Sequence, residues 1–190
     1  MRIIGVVGQN GSGKDEVLKY LRNKFNIPFL STGDMVREIA RKEGLETTRE
    51  NLKIISERHF RELGEGCFVK MVVDKIRSNG WQMAGISGIR SMNDVKILRE
   101  KCGDDFILID VYVSNPRERY SRMVKRGEER DPQSYEQFMK QDKAEEELFH
   151  ISEAEKQANY RISNDGTLAD MHGAIEKLIT GKGLLGSSKK

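Results

Sequence analysis

A three-layer α/β sandwich around one parallel sheet is the fold class that this sequence predicts, on three observations. Short β-branched apolar runs alternate with stretches of helical apolar spacing, the pattern of a sheet covered by helices on both faces. One run, Phe106-Ile107-Leu108-Ile109-Asp110-Val111, is apolar almost without interruption, which suits a strand buried on both sides. The first run, Ile3 to Val7, turns through a glycine-rich string into a stretch where Val17, Leu18 and Leu21 recur at helical spacing.

Five strands follow from the apolar runs bounded by turn signals: Ile3 to Val7, Ile27 to Leu30, Met83 to Ser87, Phe106 to Val113 and Tyr160 to Ser163. Trp81 is expected to anchor the start of the third. The stretch Gly33 to Asn79 is too long for a simple crossover, and its apolar spacing predicts three helices, around Met35 to Lys42, Arg49 to Leu63 and Cys67 to Arg77. Part of it must leave the core. A second excursion, Arg117 to Glu147, is very polar and carries Pro132 in its middle, where a helix breaks and restarts, so it is expected to be a mobile flap. Residues 1–180 are therefore expected to be a single domain with two excursions, 33–79 and 117–147. The glycine-rich stretch 181–190 is expected to be a flexible tail.

At 190 residues the chain is long enough for one full core and short for two. Charged residues make up 33% of it, yet the net charge is only +3 and basic residues are interleaved with acidic ones. That mixture argues against a nucleic-acid track and for discrete contacts with small phosphorylated ligands. Cys67 and Cys102 lie far apart without metal-ligand spacing, which points to two reduced thiols. His59, His150 and His172 show no mutual spacing for a metal or a catalytic triad. Met1 leads directly into the first strand, and no apolar run approaches membrane-spanning length, so a soluble cytoplasmic protein is expected. Nothing in the sequence sets the oligomeric state.

The string between the first strand and first helix is Gly8-Gln9-Asn10-Gly11-Ser12-Gly13-Lys14-Asp15, a phosphate-binding loop with one departure. In such a loop glycines let the backbone curl until successive N–H groups point at an anion, with the helix N-terminus behind them and a lysine on the outer phosphates. Gly8 and Gly13 supply the backbone freedom, the N–H groups from Asn10 to Asp15 hold the phosphates, and Lys14 neutralises charge on the β- and γ-phosphates. A nucleoside triphosphate is the expected ligand, with Mg²⁺. The departure is Asp15, which stands where a Ser or Thr hydroxyl usually ligates the magnesium ion. A carboxylate beside phosphates is repelled unless a cation bridges them.

Ser31-Thr32-Gly33-Asp34-Met35-Val36-Arg37, directly after the second strand, resembles the start of the monophosphate-binding helices in the adenylate kinase and nucleoside monophosphate kinase family. The resemblance implies the P-loop NTPase fold with strand order 2-3-1-4-5, a monophosphate-binding insertion at 33–79 and a lid at 117–147. It also implies that Thr32 and the Gly33 backbone face the acceptor's base while Arg37 holds its phosphate. One helical turn separates Gly33 from Arg37, so the guanidinium can project beside a helix N-terminus that itself favours an anion. The alternative is a solvated arginine paired with Asp34. Gly85-Ile86-Ser87-Gly88-Ile89-Arg90 is similar to the family's third-strand end, where an arginine grips the acceptor phosphate and an acidic residue orients magnesium-bound water. Arg90 matches, but Ser87 replaces the acidic residue.

The two departures pair. One position has exchanged a hydroxyl for a carboxylate and the other a carboxylate for a hydroxyl, so Asp15 and Ser87 together keep the expected set of metal-site groups. Two alternatives stand beside this exchange: Ser87 is a small residue at a tight strand end, and Asp15 alone is tolerated, as in some phage-type deoxynucleoside monophosphate kinases that resemble this chain in having Lys-Asp there. In the flap, Arg119, Arg122, Arg126 and Arg130 are similar to lid arginines that close on the transferring phosphoryl group, with Arg126 and then Arg122 the candidates for catalysis. A basic helix paired with Glu118, Glu128 and Glu129 is the other reading. Related lids offer an arginine where Gln141 stands, and Asn164 lies in a turn that in related kinases passes near the donor's adenine.

The overall pattern, including Gly103-Asp104-Asp105-Phe106 and Ser163-Asn164-Asp165-Gly166-Thr167-Leu168, resembles a mainly archaeal family of adenylate-kinase-related P-loop proteins, itself similar to dephospho-coenzyme A kinases. The expected function is an ATP- and magnesium-dependent phosphotransferase acting on a small phosphorylated acceptor, a nucleoside monophosphate in the first instance. The alternatives are a dephospho-coenzyme A kinase-like enzyme, whose hydroxyl acceptor would need Asp15 or Asp34 as base, and a nucleotide-binding regulator or assembly ATPase.

Overall fold

The computed structural model describes residues 1–128, 131–181 and 183–184. Five strands, β1 (Arg2–Val7), β2 (Phe29–Ser31), β3 (Met83–Ser87), β4 (Phe106–Tyr112) and β5 (Tyr160–Ser163), form one sheet in the order β2-β3-β1-β4-β5. All four pairings are parallel. Around it pack α1 (Lys14–Phe25), α2 (Thr32–Lys42), α3 (Arg49–Leu63), α4 (Cys67–Ser78), α5 (Met92–Cys102), α6 (Pro116–Arg126), α7 (Tyr135–Phe149), α8 (Ile151–Glu155) and α9 (Leu168–Gly181).

Alternation along β1 and β4 divides the interior into two cores. Ile3 and Val7 of β1 and Phe106 and Leu108 of β4 join Val36, Val72, Val73 and Leu98 of α2, α4 and α5 on one face. Ile4, Val6, Ile107, Ile109 and Val111 join Val17, Leu18 and Leu21 of α1 and Met171, Ile175 and Ile179 of α9 on the other. The unbroken apolarity of β4 is thus the signature of two cores served by one strand. Leu184 also packs into the second core, and Arg2 donates to its carbonyl. The rest of the expected tail beyond Gly183, at 185–190, together with position 182, lies outside the described residues.

Two local features differ from expectation. β2 begins at Phe29 rather than Ile27, because Pro28 has no N–H to give to a ladder and joins only through its carbonyl, which accepts from Gly85 N at 2.8 Å. α2 begins at Thr32 rather than Met35: Ser31 caps it and Asp34 completes a capping box, which adds the first turn. The break around Pro132 falls between α6, started by Asn115 and Pro116, and α7, started by Ser134. Trp81 packs against the first core just before β3. Among the described residues no helix is long and apolar enough to cross a membrane.

The carboxyl ends of β1 and β3 lie side by side, and the chain leaves β1 toward one sheet edge and β4 toward the other. This reversal opens the crevice in which ligands of such sheets sit.

α8 is held to the sheet by Ile151 and Ala154 in the first core and to α7 by Ser152, whose N–H and hydroxyl donate to Glu146, and a cluster of charged groups lies beside it. Asp110 of β4 is fully buried; its Oδ2 accepts from Arg161 Nε at 2.7 Å, while Oδ1 has no hydrogen-bond partner among the described residues. Burial, then the carboxylates of Asp110 and Glu146, push Glu155 up to about 7, against the pull of Arg161 and Arg119. A raised carboxyl pKa means that the folded state holds a proton which the unfolded state has released. The stability this confers is present below about pH 4.5 and is lost as pH rises through 7. Glu155→Gln is therefore expected to raise the melting temperature at pH 8 by about 2–4 °C, the size of a 1 kcal/mol effect at this length once screening of a half-exposed group is allowed for, and to change it little at pH 5. Thermal denaturation at the two pH values checks this; equal effects at both would mean that Glu155 ionises freely.

Candidate functional site

Two carbonyls of the loop from Gly8 to Lys14, those of Asn10 and Ser12, are held from behind, while that of Gln9 accepts from groups of the loop itself. Gln9 O accepts from Ser12 N at 3.1 Å and from Lys14 Nζ at 3.4 Å, Asn10 O from Arg119 Nη1 at 3.1 Å, and Ser12 O from Asn164 Nδ2 at 2.8 Å. Because a trans peptide points its N–H opposite its carbonyl, pinning these carbonyls turns N–H groups toward the cleft. Gly13, at φ 88°, ends the loop and starts α1 with no side-chain cap, which leaves the helix N-terminus open for an anion. Space as well as φ requires all three glycines of the loop; a Cβ on Gly8 would overlap the Val111 carbonyl. A Cβ on Gly11 would meet the Arg119 carbonyl at 2.6 Å, and one on Gly13 would meet Asn164 Nδ2 at 2.4 Å.

Lys14 projects into the cleft. Burial pulls its ammonium below the usual lysine range; Asp15 opposes this, while Arg90 and Arg126 add to it. Asp15 Oδ1 accepts a short hydrogen bond from the Ser87 hydroxyl, so the two residues singled out by their departures meet directly across the ends of β1 and β3. The donor set suits a hard divalent cation: a carboxylate and a hydroxyl, both oxygen, beside a phosphate-binding loop. Ser12 Oγ, buried without a partner among the described residues, lies in the same loop.

On the opposite wall, Thr32 Oγ1 donates to Gly88 O at 3.2 Å and joins the start of α2 to the turn after β3. Arg37 Nη2 donates to Asp34 Oδ1 at 2.7 Å, which is the helix pairing weighed above, yet Arg37, Thr32 and Gly33 all border the cavity. Burial pushes the Asp34 carboxyl up, but the hydrogen bonds from Arg37 and Ser31 outweigh it and hold it below its usual value. Arg90 stands at the mouth of α5, where Asp94 Oδ2 accepts from its backbone N–H at 3.0 Å. Its guanidinium lies 5.3 Å from the Phe149 ring centroid and 3.8 Å from Glu145.

Of the α6 arginines, Arg122 Nη2 donates to Asn164 O at 2.6 Å while its Nη1 is buried with no partner among the described residues. A buried donor of this kind beside a cavity fits an incoming anion. Arg126 makes a two-pronged pair with Asp131 and lies 3.4 Å from Glu128. Arg130 lies outside the described residues. Gln141 borders the outer cavity without taking part in the inner one.

Two residues do more than the sequence suggested. Arg119 is only 2% exposed: besides the Asn10 carbonyl it grips Asp142 of α7 with two 2.7 Å hydrogen bonds and lies 5.0 Å from the Phe138 ring centroid. It links loop, α6 and α7. Asn164 is buried behind the loop, where it holds the Ser12 carbonyl and receives Arg122 on its own. Its side chain is committed to the loop. The Arg119–Asp142 spacing of 23 residues gave no local signal. His59 lies beside Phe68, His172 is stacked on Tyr20, and His150 forms the left-handed turn between α7 and α8.

The inner cavity, about 530 Å³, lies between the loop, the starts of α2 and α5, and α6. An outer cavity of about 930 Å³ lies between α2, α3 and α7. Arg37, Arg90 and Arg126 line both and so stand at their junction.

Residues 7–139 match a family described as an AAA domain. Among curated proteins, the chain is 35% identical to UPF0200 protein TK1334 of Thermococcus kodakarensis, over 93% of this chain and 96% of the relative. It is 36% identical to UPF0200 protein PYRAB09750 of Pyrococcus abyssi, over 93% and 95%. Among solved structures it resembles a shikimate kinase from Acinetobacter baumannii in complex with shikimate, with TM-score 0.61, 18% identity, and 96% and 94% of the two chains covered. It also resembles a gluconokinase from Sinorhizobium meliloti, with TM-score 0.58, 14% identity and 98% of each chain covered. These likenesses establish a P-loop kinase-like fold.

Removing the Asn164 side chain leaves the buried Ser12 carbonyl without its donor, at a cost of about 1–3 kcal/mol. Asn164→Ala should lower the melting temperature by about 2–4 °C per kcal/mol and also shrink the further rise on adding ATP, because the loop loses its rear support. A variant that melts early yet gains the full ATP-induced rise would limit Asn164 to a packing role.

Proposed function

We propose, on the premise that this chain belongs to the AAA-domain family and to the family of UPF0200 proteins, that it is a cytoplasmic ATP- and magnesium-dependent phosphotransferase. Its acceptor is a small phosphorylated molecule, a nucleoside monophosphate, in the manner of adenylate-kinase-related enzymes. The observation that carries this reading is the row of Arg37, Arg90 and Arg126 at the junction of the two cavities, facing the loop and Lys14. Residues 1–180 act as one kinase-like domain, with 33–79 as the acceptor-binding insertion and 117–147 as the lid.

In this reading the loop N–H groups from Asn10 to Asp15 and Lys14 hold the donor's phosphates in the inner cavity. Arg37 and Arg90 hold the acceptor phosphate, with Thr32 and Gly33 beside its base. An acceptor phosphate oxygen attacks the γ-phosphorus in line; the new O–P bond forms as the bond to the β-phosphate bridging oxygen breaks, and ADP leaves with that electron pair. Arg122 and Arg126 face the charge that spreads over the transferring group. No side-chain nucleophile is needed, and the chain's contribution is positioning and charge. Magnesium, when bound, supplies charge neutralisation at the phosphates, and Asp15 with Ser87 are the residues that would hold it.

The state of Asp34 bears on the acceptor. A hydroxyl acceptor needs a base, yet Arg37 and Ser31 keep the Asp34 carboxyl below its usual range and Asp15 is engaged with Ser87. Asp34 is a poor proton acceptor in this arrangement, and Asp15 already accepts from the Ser87 hydroxyl. A phosphate acceptor is already anionic and needs neither, which favours it over a dephospho-coenzyme A kinase-like reaction or the hydroxyl acceptors that shikimate and gluconate would present.

Incubation with ATP, magnesium and a panel of nucleoside monophosphates should yield a specific nucleoside diphosphate, with ADP formed only when the acceptor is present. Tight ATP binding with slow hydrolysis that ignores every acceptor would sink the kinase reading in favour of a regulator or assembly ATPase. Asp15→Asn should weaken ATP binding in magnesium about tenfold, the factor that 1.4 kcal/mol represents, and leave metal-free binding unchanged or tighter. Equal losses with and without metal would remove Asp15 from the metal site.

A further inference from the structure

The outer cavity has two cationic ends, and only one is needed for a phosphate at the junction. At the inner end each arginine already faces a carboxylate: Arg37 with Asp34, Arg90 with Glu145, and Arg126 with Asp131. At the outer end stand Arg49 and Lys53, one turn apart on α3, with the hydroxyls of Thr47, Thr48 and Ser56 beside them. Arg49 has no ion-pair partner among the described residues. Lys53 has only Glu57 at 3.7 Å, with both side chains well exposed. The carboxylates that border this cavity, Glu128, Asp131 and Glu145, are at the inner end with Arg126 and Arg90.

Between the ends the walls are apolar. Val36 and Leu52 stand on the α2–α3 side, and Ala144, Leu148 and Phe149 of α7 on the other; Leu148 is 70% exposed although its neighbour Phe149 packs against the first core. An exposed leucine across a cavity from a half-buried one forms a slot for a flat apolar group. The cavity's 930 Å³ is near the top of the range of about 300–1,000 Å³ that ligand pockets span. That is ample for an acceptor larger than its junction phosphate and one ring system.

We propose that the acceptor carries a second anionic group, on the far side of its apolar body from the reacting phosphate, held by Arg49 and Lys53 at the outer end of this cavity. The inference rests on the outer cavity being the acceptor site and extends that reading to the acceptor's chemical class. A dianionic phosphate or a carboxylate meets the same two cations, so the shared chemistry is an anion on the sugar or base of a nucleoside monophosphate.

Calorimetric titration of the full chain with two probe series separates the sources. One compares AMP with adenosine 3′,5′-bisphosphate and with adenylosuccinate, which adds an anion on the sugar or on the base respectively. The other compares UMP with uridine 3′,5′-bisphosphate and with orotidine 5′-monophosphate. At least one doubly anionic probe is expected to bind about tenfold tighter than its parent monophosphate. The double substitution R49A/K53A, on exposed positions of α3, is expected to erase that preference with the melting temperature unchanged. If no doubly anionic probe exceeds its parent, or if the preference survives R49A/K53A, the inference is overturned. Phosphotransfer is read separately as diphosphate formation. A preference without transfer would leave Arg49 and Lys53 as the site of a second anion on a bound ligand and remove the kinase reading, whereas transfer to plain monophosphates without any preference would leave the kinase reading and overturn this inference.

Discussion

Everything at the crevice depends on how the loop after β1 disposes of its own carbonyls. A short loop that offers N–H groups to an anion must send its C=O groups the other way, into protein, where each needs a donor. Here the donors come from residues far along the chain: Arg119 takes the Asn10 carbonyl and Asn164 that of Ser12. The loop is therefore shaped as much by α6 and the turn after β5 as by its glycines. The glycines permit the curl; the distant donors select it.

The same two residues spread the constraint outward. Arg119 holds Asp142, which joins α7 to the loop, and Asn164 accepts from Arg122, so that guanidinium is aimed while one of its nitrogens has no partner among the described residues. Ile151 and Ala154 anchor the far end of α7 and α8 on the first core, beside the carboxyl of Glu155, which is pushed up to about 7. Loop, α6 and α7 are thus joined by side chains rather than by the sheet alone.

Charge in the cleft is balanced in pairs before any ligand arrives. Arg37, Arg90 and Arg126 each have a carboxylate, and Asp15 has the Ser87 hydroxyl. Such pairing limits the repulsion among clustered guanidiniums. It also means that an incoming phosphate competes with carboxylates, so binding draws on exchanged pairs rather than on bare charge. Lys14 differs: burial pulls its pKa down, and an anion at the loop would push it back up.

The fold was legible in the sequence because its signals are local and periodic. The β-branched runs, the unbroken apolarity of β4 and the glycine string each report their own backbone state. Asp15 and Ser87 could be paired from sequence because both depart from a pattern at positions that adjacent strand ends bring together. Arg37 read equally well as a helix-surface residue or a ligand contact, and it is both an Asp34 partner and a cavity residue. Arg119 and Asn164 could not be ranked: an arginine in a polar helix and an asparagine in a turn look alike whether exposed or buried. What the sequence by itself determined was the succession of strands and helices, the phosphate loop and the kinds of residue at the crevice, since these follow from propensity, periodicity and motif. Which side chains hold the loop, which arginines are committed to carboxylates, and where a cavity is left open were decided only by tertiary structure. Burial and hydrogen-bond pairing are set by segments that meet across 109 and 152 residues of chain, and no local stretch encodes such a meeting.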